Sequence, residues 1–222
     1  MVQREMRTVQ EIIAEDLRKS IIGGEFHPGD RLVQDEIATR YGVSRIPVRE
    51  AFRTLSAEGL VTFHRRRGAI VTMLTREDIQ EILSIRSVLE GMGTRLAAER
   101  ITPKQLERVC EIFKKMEASR DNPERFFKLN FEFHAAILDG AQSPRLKEII
   151  VNLRNTVETV ARQYLARAER VETAHGDHAA ILEALENHDV EAAEQLASRH
   201  TQHVLAGILD DYDHTRFRDG KK

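Results

Sequence analysis

Tryptophan is absent and aromatic residues make up only 5% of the 222 positions, too few to furnish the layered core of a β-sandwich. Cysteine is almost missing. The single Cys110 excludes an internal disulfide, fits a reducing compartment, and reads as a small buried apolar side chain in a helix. No apolar run approaches the roughly 20 residues that span a bilayer. The opening "MVQREMRTVQ" also lacks the apolar centre of a secretory signal. These absences point to a cytoplasmic chain with no membrane span. What is plentiful is charge: 32% of residues are Asp, Glu, Lys or Arg, which suits helices laced with surface ion pairs.

That charge is unevenly placed. The net charge is −2, yet residues 40–68 hold seven arginines against Glu50 and Glu58. A phosphate backbone responds to such local charge, so the near-neutral total does not argue against nucleic acid.

At this length two domains are expected, with the boundary near "MLTRED". Residues 8–22 place Ile12, Ile13, Leu17, Ile21 and Ile22 near one helix face. "GGEFHPGDRL" breaks that helix and leads into a short extended piece. Helices follow at about 34–40 and 44–58, with Gly42 suited to ending the first and Ser44 to capping the second. Pro47 lies in the first turn, where its missing N–H removes no helical bond. "LVTF" and "AIVT", joined by "HRRRG", read as a hairpin. From Thr75 the pattern is helical, with helices expected at 75–100, 103–119, 122–140, 144–168, 171–187 and 189–212.

Three helices and a basic hairpin are the order of a winged helix-turn-helix. The fold class expected is mainly α: a winged helix-turn-helix over 1–74, an all-α bundle over 75–215 and a polar tail over 216–222. A recognition helix presents its N-terminal residues to base edges in the major groove. Ser44, Arg45, Pro47 and Arg49 occupy that end, and the i, i+4 spacing puts both arginines on one face. Arginine suits bidentate contact with guanine or phosphate. Arg65, Arg66 and Arg67 at the hairpin tip would reach the adjacent groove or backbone, with Gly68 permitting close approach. A charge run alone is more often a solvated loop; here the joint placement on the two elements that face DNA carries the reading.

"GDRLVQDEIATRYGVSRIPVREAFRTLSAEGLV" followed by "RRRGAIV" resembles the GntR family of bacterial transcription regulators over residues 8–73. Ile46 and Phe52 depart from the residues common there, Thr and Leu. One winged helix reads only a few base pairs and two-fold symmetry doubles the contacts, so a homodimer on a double-stranded operator with an inverted repeat is expected.

Seven of the nine histidines lie beyond residue 130. His134, with Asn130 one turn before it, shares a face with Ile137 and Leu138. His178 shares one with Ile181 and Leu185, and His200 with Leu196 and Val204. Each alone fits a satisfied core histidine, whereas three inward imidazoles on three helices of one bundle can also converge on a divalent metal. Arg86 falls among Ile82, Leu83 and Leu89. A buried arginine needs an anion, either Glu90 at i+4 or a carboxylate from outside.

"IRSVLEGMGTRLAAER", "LNFEFHAAILDGAQSPRL", "DHAAILEALENHD" and "AAEQLASRHTQHV" resemble the helical ligand-binding FCD domain of the FadR branch of that family. This resemblance implies a metal site at Asn130, His134, His178 and His200, with zinc first and nickel or manganese as alternatives. It also implies a small carboxylate effector at Arg86. His175 and His203, each three residues from a proposed ligand, are expected to line the same cavity. The function expected is an operator-binding regulator, a repressor, governed by a small organic acid. One alternative is an architectural DNA-binding protein with a structural bundle. A metal-dependent hydrolase is the other, but no "HExxH" occurs and Glu132 lies on the helix face opposite His134.

Overall fold

The structure, a computed structural model, describes residues 8–64, 68–165 and 167–219. The chain divides into two compact units, Met1–Leu74 and Thr75–Lys222.

The first unit runs α1 (Val9–Ile22), β1 (Arg31–Leu32), α2 (Gln34–Tyr41), α3 (Arg45–Ala57), β2 (Val61–His64) and β3 (Gly68–Val71). A capping box starts α1: Thr8 Oγ1 accepts from the Glu11 N–H, and the Thr8 N–H donates to Glu11 Oε2. Ile13, Leu17 and Ile21 then face a core with Val48, Phe52 and Leu55 of α3. Arg18 reaches from α1 to Glu58 at the end of α3, donating through Nε at 2.8 Å and Nη2 at 2.5 Å. Gly42 stops α2 at φ 64°, left-handed backbone that favours glycine, and its N–H returns to Ala38 and Thr39. The three strands form an antiparallel sheet in the order β1-β3-β2, with Thr62 opposite Ile70 and His64 opposite Gly68.

Ser44 stands at the N-cap of α3 with extended backbone, but its hydroxyl makes no capping bond. The reason lies three residues on. An N-cap oxygen accepts from the second or third helical N–H, and the third helical residue is Pro47, which has none.

The second unit holds α4 (Arg76–Arg100), α5 (Pro103–Glu117), α6 (Pro123–Gly140), α7 (Pro144–Leu165), α8 (Ala168–Glu186) and α9 (Val190–Asp219). Thr75 closes a capping box with Asp78, its Oγ1 accepting from the Asp78 N–H at 3.1 Å and its own N–H donating to Asp78 Oδ2 at 2.8 Å. Thr102 and Asn122 cap α5 and α6 just ahead of Pro103 and Pro123. The longest packing seam joins α4 to α9. Gly91 makes it possible, because a Cβ there would lie 2.3 Å from Ser198 Oγ and 3.0 Å from the Glu194 carbonyl. Ser87 and Ser198 exchange hydroxyl-to-carbonyl bonds across the seam.

Three sequence expectations need correction. The α7–α8 break falls before Ala168 instead of at 169–170, in a stretch without proline, glycine or a side-chain cap on Arg167. The last helix does not end at 212, since α9 runs on to Asp219; residues 220–222 lie outside the described residues. Cys110 is only partly buried and its Sγ lies 3.4 Å from Glu186 Oε1. No helix among the described residues is long and apolar enough to cross a membrane.

Candidate metal centre and nucleic-acid interface

In the first unit the amino end of α3 is open to solvent. Ser44, Arg45 and Arg49 are exposed and Pro47 is half-buried, while Val48, Phe52 and Leu55 anchor the opposite face. The Arg45 guanidinium donates to Asp35 of α2 at 2.7 Å, and Arg49 Nε lies 3.5 Å from Glu50. Exposed pairs of this kind contribute about 0–1 kcal/mol, so exchanging such a carboxylate for a phosphate or base edge costs little. The Ser44 hydroxyl, unused as a cap, is presented on the same end. Gly68 opens β3 at φ 77°. Arg65, Arg66 and Arg67 lie outside the described residues.

In the second unit α6, α8 and α9 bring His134, His178 and His200 together, all three buried. The Nε2 atom of His178 lies 3.1 Å from that of His134 and 3.3 Å from that of His200. One ligand atom from each falls within 4.8 Å of the others. With Zn–N bonds of about 2.0–2.1 Å, two nitrogens of a tetrahedral site stand about 3.3 Å apart, so this spacing fits a metal ion. Hydrogen bonding alone satisfies the cluster poorly. Nδ1 of His200 faces Asp177 Oδ2 at 3.2 Å; since a carboxylate only accepts, the tautomer that uses this contact puts the proton on Nδ1 and the lone pair on Nε2. One Nε2–H on His178 would then have to serve two neighbours, while its own Nδ1 is buried without a partner.

Protonation states agree with ligation. Burial, then Arg154 and the neighbouring imidazoles, pushes His134 well below its ordinary value. Burial, then His200 and Arg154, does the same to His178. Neutral imidazoles are the form that binds metal. Asn130, one turn before His134, has a buried Oδ1 with no hydrogen-bond partner, and it lines a small cavity of about 50 Å³ with His134 and His200. An orphaned buried amide oxygen is costly unless something occupies it. The donor set therefore fits a divalent ion.

Arg86 also lines this cavity. Both partners weighed for it from sequence remain in play: Nη2 donates to Glu90 at 3.0 Å, and its buried Nε has no partner. Glu90 Oε1 accepts a second bond, 2.6 Å, from Nε of Arg154 on α7. Burial raises the Glu90 carboxyl, but Arg154 and Arg86 outweigh it and hold it at about 2. Burial and repulsion from Arg154 bring Arg86 down to about 10 against the pull of Glu90. Arg86 and Arg154 thus share Glu90, and Glu158 adds a second carboxylate to the cavity lining.

The other two histidines expected at the cavity do not line it. His175, three residues before His178, turns toward α5, stacks on Phe113 with centroids 4.9 Å apart, and has Nε2 3.9 Å from Glu117. His203, three residues after His200, is half-exposed with Nδ1 3.0 Å from Asp177. The spacing of three that placed them beside the ligands rotates each about 60° around its helix.

Sequence reasoning missed Arg154 and Asp177. Arg154 did leave a signal, since it keeps phase with Ile150 and Val157, both fully buried on α7. Asp177 left none, because its role depends on which α9 side chains pack across from α8.

The chain was compared with known proteins. Residues 9–71 match the model for bacterial regulatory proteins of the gntR family, and residues 81–203 match that of the FCD domain. The HTH-type transcriptional regulator YdhC of Bacillus subtilis (strain 168) is 30% identical, over 93% of this chain and 91% of its own. The HTH-type transcriptional repressor RspR of Escherichia coli (strain K12) is 29% identical, over 90% and 89%. The solved structure of E. coli McbR/YncC superposes with a TM-score of 0.80 at 25% identity, covering 93% of this chain and all of that one.

Proposed function

Because the chain belongs to the GntR family of bacterial regulatory proteins and carries an FCD domain, and so is a DNA-binding transcription regulator and not an enzyme, we propose that it is a repressor whose helical unit reads a small organic acid at a metal centre. The observation that carries this reading is the convergence of three buried Nε2 atoms beside an unpartnered amide oxygen and two buried arginines. His134, His178 and His200 would hold the ion with Asn130 assisting; zinc suits the nitrogen donors first, with nickel and manganese as alternatives. The bound ion supplies a Lewis-acidic position for a carboxylate or hydroxyl. Arg86 and Arg154 supply the fixed positive charge that orients the acid.

At the other end, Ser44, Arg45, Pro47 and Arg49 on α3 would read the operator, with Arg65, Arg66, Arg67 and Gly68 as the wing. An exposed apolar stripe on α4, Ile85, Val88 and Met92, is 46%, 69% and 41% accessible in the single chain. It supports pairing with a second copy, which matches an inverted-repeat operator in the cytoplasm. The acid regulates by binding the two arrangements of that dimer with different affinity.

Operator titrations with and without a panel of sugar, hydroxy and short-chain acids test this, alongside elemental analysis. Wild type should hold one metal per chain, and one acid class should shift operator affinity. Arg86→Ala should keep metal-loaded operator binding and lose the acid response. A wild type that stays metal-free after incubation with zinc, nickel and manganese, and ignores every acid, would sink the proposal.

A further inference from the structure

The four candidate donors, Asn130, His134, His178 and His200, bring no formal negative charge, and the charged groups that line the cavity are Arg86, Arg154 and Glu158, two positive and one negative. Charge compensation for a divalent cation held by these four donors therefore draws on groups outside the donor set, among them those behind the histidines. The outward nitrogens of the three rings meet different partners. Nδ1 of His178 is buried and has none. Nδ1 of His134 lies 4.0 Å from Glu90 Oε2, and the other oxygen of Glu90 is already shared by Arg86 and Arg154. Only His200 has a carboxylate at hydrogen-bond distance that faces no arginine: Asp177 Oδ2, at 3.2 Å.

We propose that Asp177 is the positioning residue of this centre: through His200 it delivers from outside the donor set the negative charge that Asn130 does not carry. This rests on the metal reading above. The local geometry makes the delivery efficient. Asp177 precedes His178 in α8, so one turn of backbone aims His178 inward and Asp177 about 100° away, at α9. Its side chain is 17% exposed, which limits screening by water. His203 donates to the same oxygen at 3.0 Å from the solvent side and holds the carboxylate in the rotamer that His200 needs. A carboxylate on Nδ1–H fixes the tautomer, keeps Nε2 as the inward lone pair and makes it a stronger donor. His203 thereby acts two bonds removed from the ion, not as a wall of the cavity.

Competition against a chelator of known affinity measures zinc and cobalt dissociation constants for the full chain. Asp177→Asn should weaken both by about 10–100-fold and change the visible absorption of the cobalt form, because His200 donates less strongly. Asp177→Glu should recover most of the loss. The decisive arm is Asn130→Asp, which puts the charge into the donor set itself: it should tighten metal far more in the Asp177→Asn background than in wild type. Equal gains in the two backgrounds, or an Asp177→Asn protein that binds within twofold of wild type, would overturn the proposal while leaving the metal centre standing. If Asp177→Asn does not fold, His203→Gln serves instead. It should weaken metal a few-fold and be rescued by Asn130→Asp, and an unchanged constant overturns the proposal. A wild type that binds neither ion refutes the metal reading, and this one with it.

Discussion

The two units treat charge in opposite ways. Among the described residues, every buried polar or charged side chain lies beyond residue 85, and the first unit buries only apolar ones. Arg45 is held by the exposed Asp35 and Arg49 by the half-buried Glu50, both within reach of water that screens the pairs. Arg86 and Arg154 sit at 8% and 9% accessibility around a Glu90 that is more deeply buried still. A cation meant for a large external partner must be cheap to release, so it stays at the surface with a weak local companion. A cation meant to orient a small enclosed ligand must be fixed beforehand, so its counter-ion is built into the core.

The strongest way to break this contrast is to remove the counter-ion. Glu90→Gln leaves two buried guanidiniums without their carboxylate, and should cost about 3–5 kcal/mol. For a chain of this size that lowers Tm by on the order of 10 °C in a thermal melt. A shift of only a degree or two would mean that the arginines find other partners and are not locked at all.

Acid probes the same cluster without mutation. Glu90 is held at about 2 in the fold against an ordinary value of 4.5. Its contribution, about 3 kcal/mol, is present above pH 4.5 and is lost as pH falls toward 2, where the unfolded chain binds the proton first. His134 and His178 are depressed below 6.5, so the metal-free fold should already weaken as pH drops under 6.5. Urea titrations of the metal-free full chain from pH 7.5 down should therefore show a loss that begins near 6.5 and steepens under 4.5. A flat profile from 7.5 to 4 contradicts the buried neutral state.

At the surface the effects should be smaller and fall on binding alone. On the proposed operator reading, Arg45→Ala and Arg49→Ala should each weaken specific DNA binding by about 1–3 kcal/mol while changing stability by under about 0.5 kcal/mol. Fluorescence anisotropy over a salt series separates base-edge contacts from phosphate contacts. Two variants that titrate operator like wild type would place the reading face elsewhere. The smallest expected change sharpens the comparison most. Asp35→Ala releases Arg45 from its local carboxylate, and should tighten operator binding by a few tenths of a kcal/mol, up to about 1. Weaker binding would show Asp35 orienting Arg45 rather than competing for it.

How far the sequence could be read follows the range of the forces involved. The helix starts near residues 75, 103 and 122 were legible because the signals are local, a capping Thr75 and the prolines Pro103 and Pro123. The end of α7 was not, since nothing in "ARAER" terminates a helix and packing alone decides. The inward faces of His134, His178 and His200 followed from periodicity within each helix, and the structure puts their Nε2 atoms 3.1–3.3 Å apart along the chain of three. His175 and His203 had the right neighbourhood and the wrong rotation. Arg154 and Asp177 act only across helix pairs, and no single helix carries that information. Ser44 takes the N-cap position as expected but its hydroxyl makes no capping bond, and one of the two usual donors is lost locally, at Pro47, which the sequence did contain.

The cap at Thr75 has a consequence for how such genes are exchanged. Both of its members, Thr75 and Asp78, fall on the same side of the Leu74 boundary. A crossover at that codon therefore transplants the sensor with its first helix already initiated, and no residue from the donor's reading head is needed to start it. Because α4 also carries Arg86 and Glu90, a chimera joined there inherits the ligand-facing charge in its original phase. On the proposed function, a chimera joined there should carry its operator preference from one parent and its sensed compound from the other, with one short seam in the reading frame serving as the splice.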